Sequence, residues 1–117
     1  MDSLGGPKVS RYEMHTEIIT KRDDLVIRRL VLEPGEAMPW HTDACNRFSV
    51  VVRGEQLRIE FRDTSEQVTV AVHPGIADWD KPTARIHRAV NVGTTPYEEV
   101  VIFFLDTSGI DPQPEPL

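Results

Sequence analysis

His41, Asp43 and Arg47 stand close together in this chain, and His87 follows far downstream. Two imidazoles and one carboxylate form a donor set that holds a divalent transition metal such as Fe, Mn, Ni or Zn and leaves coordination positions open. Arg47 cannot join them, because a guanidinium stays protonated, offers no lone pair and repels a neighbouring cation. It can instead grip a carboxylate or phosphate through two parallel N–H donors, with His41 and His87 donating alongside. The same four residues therefore support a metal centre, a metal-free anion pocket, or a plain Asp43–Arg47 salt bridge in which each charge neutralises the other.

Neighbouring residues are weighed against these readings. Trp40 directly precedes His41 and is assigned with Arg47 to a substrate wall, barrel packing being the alternative. Cys45, between Asp43 and Arg47, reads as an inert half-buried thiol. His15 falls in a terminal strand and His73 in a turn, and both read as surface or satisfied histidines. Glu33 and Glu36 flank Gly35 in a turn that belongs in solvent. Trp79 lies in a polar segment, which points to a subunit contact because an indole is costly to leave in water. Met14 and Met38 read as packing residues, and Asn91 and Gly93 as shapers of a turn. The chain has no Ser-His-Asp order, phosphate-cradling glycine loop or spaced cysteine set, so acyl transfer, nucleotide hydrolysis and structural zinc find no support.

The elements that must position these groups read as strands. Leu25 to Leu32 is apolar apart from Arg28 and Arg29 and ends at Glu33-Pro34-Gly35; Phe48 to Val52 ends at Arg53-Gly54-Glu55. Leu57, Ile59 and Phe61 alternate with polar residues, the pattern of a half-buried strand, and Val68, Val70 and Val72 alternate again. Val100 to Leu105 is the most continuous apolar run and is expected to be a central strand covered on both faces. No window carries a capped helical period, so helix content is expected to be low, and turn signals every 8 to 12 residues fit a sandwich or barrel.

The chain has 117 residues, 39% hydrophobic and 27% charged, the size and make-up of one globular domain. Thirteen basic against 19 acidic residues give a net charge of −6. Its arginines are scattered, so no basic face for nucleic acid is expected. One cysteine excludes an internal disulfide and, with no apolar run long enough for a membrane span and no signal-like start, predicts a cytoplasmic protein. The expected organisation is a single domain over 1–117 with a core at about 25–106, and with 1–12 and 107–117 as extensions. A homodimer through exposed strand edges or terminal segments is the expected assembly.

Two framed stretches carry a resemblance. Gly35, five residues, His41, Thr42, Asp43, three residues, Arg47, six residues and Gly54 form the first. The second is Gly75, six residues, Pro82, Thr83, Ala84, two residues, His87, three residues and Asn91. These resemble the two motifs of the cupins, small bacterial single-domain members in particular, whose fold is the double-stranded β-helix or jelly-roll barrel. The resemblance implies ligands at the two histidines and the glutamate of the first motif and at the histidine of the second. Here Asp43 replaces the second histidine and Arg47 the glutamate, so the metal motif is degenerate and His41, Asp43 and His87 are what it leaves. The implied function is a small-molecule-binding cupin with a pocket for a small organic acid, either a metal-dependent enzyme on a small carboxylate, a metal-free binding or sensing module, or a structural protein with a vestigial site.

Overall fold

The computed structural model describes residues 14–105, and among these it contains strands and no α-helix. The terminal extensions expected at 1–12 and 107–117 lie outside the described residues. No described helix is long and apolar enough to cross a membrane. In chain order the strands are β1 (His15–Lys21), β2 (Leu25–Leu32), β3 (His41–Asp43), β4 (Asn46–Arg53), β5 (Gln56–Phe61), β6 (Gln67–Ala71), β7 (Ala77–Asp80), β8 (Thr83–Asn91) and β9 (Tyr97–Phe104). They form two antiparallel sheets, ordered β1-β2-β9-β4-β7 and β3-β8-β5-β6. This is the all-β double-stranded β-helix that the two framed stretches implied.

β9 holds the centre of the larger sheet, as its apolar run suggests, but it starts three residues before that run. It is also buried on one face only: Tyr97 and Val101 are each 2% exposed, while Val100 and Ile102 are half-buried. In an antiparallel sandwich only alternate side chains reach the interior, so an unbroken apolar run can still be a one-faced strand. The inner faces meet in a core of Leu30, Leu32, Val51, Leu57, Ala89 and Tyr97. Polar sequence hid three elements. β3 and β7 are short and acidic, and β8 carries Arg85, His87 and Arg88 within an otherwise weakly patterned run.

Two turns hold the sheets in register. Gly54, at φ +154°, lies where a Cβ would stand 2.7 Å from Tyr97 Cδ1, so only glycine lets β4 turn into β5 against that ring. Asn91, fully buried at the end of β8, donates from Nδ2 to the carbonyls of Leu32 (2.9 Å) and Thr95 (3.0 Å) and accepts from the Gly93 N–H (2.9 Å). Its amide thus shapes the β8–β9 turn and ties it to the end of β2.

Candidate metal centre

β3 is an edge strand paired to β8, with His41 directly opposite His87. Alternation then puts His41 and Asp43 on one face of β3, and places His87, with Ala89 and Asn91, on the interior face of β8. The two imidazoles come together with ring centroids 4.6 Å apart. Phe61, opposite His87 on β5, backs that ring at 6.2 Å. The hollow shared by His41 and His87 is thus present, built by residues 46 positions apart in sequence.

Asp43 is the hub. Its side chain is 8% exposed, with Oδ2 2.9 Å from His87 Nε2 and Oδ1 3.7 Å from His41 Nε2. Each imidazole turns its other nitrogen to a backbone carbonyl, His41 Nδ1 to Pro39 O at 2.7 Å and His87 Nδ1 to Arg85 O at 2.8 Å. A carbonyl only accepts, so the proton of each neutral ring belongs on Nδ1, and both Nε2 lone pairs face the carboxylate. Carbonyl partners of this kind orient metal-ligating histidines. The three donor atoms lie within 4.8 Å of one another, and the 2.9 and 3.7 Å separations bracket the roughly 3–3.4 Å between donors that share one ion at about 2.1 Å.

Arg47 reaches the hub from β4, in the facing sheet. Its NH2 lies 3.2 Å from Asp43 Oδ2 and 3.8 Å from Asp80 Oδ2. The expected Asp43–Arg47 ion pair therefore exists, yet it does not use up the carboxylate. Asp43 Oδ2 is buried and accepts no well-directed hydrogen bond, because the nearby Arg47 N–H groups point past it and the neutral His87 ring has its proton on Nδ1, away from the carboxylate. Such an orphaned buried oxygen costs about 1–3 kcal/mol unless something else meets it. A cation between it and the two Nε2 atoms is that something, so these residues fit a divalent metal despite the arginine.

Two cavities meet at this cluster, both lined by Met38, His41, Arg47 and Glu99. The inner one, about 340 Å³, runs down the barrel past Val51, Leu57, Ile59 and Val72 and carries Asp78, Asp80 and His87 on its wall. The other, about 280 Å³, opens beside the β3–β4 connection and adds Arg28, Asp43 and Cys45. Trp40 lines neither. Its indole lies against the guanidiniums of Arg88 (4.2 Å) and Arg62 (5.7 Å), so the structure does not bring it to the cluster. Cys45 is buried and close by, but its thiol is not among the converging donors, and burial chiefly pushes it up from the ordinary thiol range. Trp79 stacks on Phe104 at 5.4 Å, and His15 and His73 are exposed.

Sequence reasoning missed Glu99 and Arg28. Glu99 accepts the Tyr97 hydroxyl inside the barrel, and burial above all holds its carboxyl above the usual range, with Tyr97 and the charges of Arg28 and Arg47 pulling it back only in part. A carboxyl harder to ionise in the fold than in the open chain contributes stability below its unfolded pKa that is lost as pH rises toward its folded one. Glu99→Gln keeps an acceptor for Tyr97 and cannot ionise. It is expected to gain on the order of 1 kcal/mol over the parent at pH 8, about 4 °C at this size, and nothing at pH 4. Thermal unfolding at the two pH values checks this, and an equal gain at both would refute it.

No family model and no curated protein matches the sequence. Solved structures do match. A cupin domain from Bordetella pertussis superposes with a TM-score of 0.72 at 16% identity, over 83% of this chain and 98% of that one. A conserved double-stranded β-helix domain protein from Klebsiella pneumoniae gives 0.65 at 17%, covering 92% and 90%. The polyketide cyclase RemF from Streptomyces resistomycificus gives 0.62 at 17%, covering 87% and 68%. At these identities what is shared is the fold.

Proposed function

Because the chain folds as a cupin double-stranded β-helix, we propose that it is a small-molecule-binding cupin in which His41, Asp43 and His87 hold a divalent transition metal beside a pocket for a small organic acid. The observation that carries the metal is the buried Asp43 carboxylate, its Oδ2 orphaned, with His87 Nε2 beside Oδ2 and His41 Nε2 beside Oδ1, both rings being fixed from behind by backbone carbonyls. The charges around it agree. Asp43 and Asp80 flank the guanidinium of Arg47 and Asp78 lines the same inner cavity, an excess of negative charge there that a divalent cation offsets.

When bound, such an ion supplies Lewis acidity to an oxygen of the acid. The protein's own residues do the rest. Pro39 and Arg85 carbonyls set the imidazoles, Arg47 steadies Asp43 and faces an incoming carboxylate, and Met38 adds an apolar contact where the two cavities meet. This favours a metal-dependent enzyme on a small carboxylate over a metal-free sensing module, because in the inner cavity Asp78 and Asp80 repel an anion that arrives alone. A homodimer belongs to the same proposal: β1 is the outer strand of its sheet among the described residues and exposes Ile18 and Ile19.

Elemental analysis of protein purified without chelator tests the reading. About one divalent ion per chain is expected, lost on dialysis against chelator and regained on soaking with iron, manganese, nickel or zinc. Protein that carries none and takes up none removes the metal.

A further inference from the structure

The cavity beside the β3–β4 connection differs in charge from the inner one. Arg28 on β2 and Arg47 on β4 reach it from either side of β9, where they stand opposite Val101 and Phe103. Each guanidinium has a buried Nε that donates to nothing. Arg47 shares two carboxylates, but Arg28 has no ion pair among the described residues and lies over the Phe103 ring, its carbon 4.7 Å from the centroid. The remaining titratable groups on the wall are Cys45, His41, Asp43, which Arg47 accompanies, and Glu99, whose carboxyl burial keeps toward its neutral form. With Arg47 held by Asp43 and Asp80, Arg28 is the guanidinium on this wall without a paired carboxylate among the described residues. Met14, Met38, Val101 and Phe103 supply most of the apolar surface, beside Pro39, Thr42 and Ala44, and about 280 Å³ is roughly nine water volumes.

We propose that this recess seats the head of the ligand, Arg28 and Arg47 together gripping the carboxylate of a small monocarboxylic acid whose apolar body lies against Met14, Met38, Val101 and Phe103. One carboxylate meets both orphaned donors and balances the one free guanidinium. A phosphate dianion would add a charge next to Asp43 with nothing to neutralise it. The apolar wall excludes a head group without a hydrocarbon part, since burying that wall is what an alkyl chain adds. The assignment rests on the organic-acid reading above but not on the metal, since neither arginine ligates.

Titration of ¹⁵N-labelled protein with hexanoate, with acetate and inorganic phosphate as comparisons, tests it on chelator-stripped and on zinc-soaked samples. Hexanoate is expected to bind both samples, more tightly than acetate or phosphate, and to shift the amides of Arg28, Val101 and Phe103. Arg28→Met should weaken it at least tenfold, the worth of a charge-assisted hydrogen bond, and Arg28→Lys should retain most of the affinity. Shifts confined to Val70, Val72 and Ile76 in wild-type protein would overturn the assignment without any variant having to fold. So would hexanoate affinity unchanged in Arg28→Met, phosphate binding as tightly as hexanoate, or no binding at millimolar concentration. Protein that takes no zinc yet binds hexanoate through Arg28 removes the metal and keeps this site; zinc uptake with hexanoate indifferent to Arg28 does the reverse.

Discussion

His87→Ala is expected to lower the affinity for zinc by more than about 100-fold, measured by competition with a chromophoric chelator. Loss of an outer partner that merely orients a ligand costs 10- to 100-fold, and this substitution deletes one of three donors outright. What remains, His41 and Asp43, is adjacent on one edge strand with no donor from β8 to close the site. Its imidazole is 16% exposed and backed by Phe61, so the variant should stay folded with a modest drop in melting temperature. His15→Ala and His73→Ala remove exposed imidazoles that are not among the converging donors and should leave the affinity unchanged. If His87→Ala takes zinc as tightly as the parent, the cluster is not the metal site.

For stability the largest effect is expected at Asn91. Asn91→Ala leaves the carbonyls of Leu32 and Thr95 and the N–H of Gly93 without their partners at a fully buried position. With each unmet buried group costing about 1–3 kcal/mol, a loss of about 3 kcal/mol is expected, near 12 °C in melting temperature at this size. Asn91→Asp should be worse at neutral pH although it keeps the shape, because it turns a donor that serves two carbonyls into a buried anion facing them. Urea unfolding of the three proteins at pH 7 checks the order. If Asn91→Asp proves as stable as the parent, the amide does not work as a tie between β2 and the β8–β9 turn.

Much of the barrel was legible because two-residue alternation is a local property. Leu57, Ile59 and Phe61, and Val68, Val70 and Val72, announced β5 and β6, and β2 ended where Glu33-Pro34-Gly35 said it would. β3 and β7 did not announce themselves. Asp43, Asp78 and Asp80 are poor strand formers taken singly, and these segments extend because β8 and β4 offer them hydrogen-bonded edges. Trp40 illustrates the opposite limit. Adjacency to His41 put it near the pocket on paper, but it sits in the bend before β3, and its ring lies against Arg62 and Arg88 instead.

By itself, then, the sequence determined the fold, through strand periodicity and glycine-framed spacing, and the set of donors, through residue type. Only the tertiary structure decided what those donors do to one another. It set His41 opposite His87, left Asp43 Oδ2 without a directed partner and drew Arg47 toward two acids. It also brought Arg28 and Glu99, unremarkable in their own strands, to the wall of the same cavity. The physical reason is that alternation tells which face a side chain takes, whereas distance, burial and net charge at a point depend on strands from two sheets that meet only when the barrel closes.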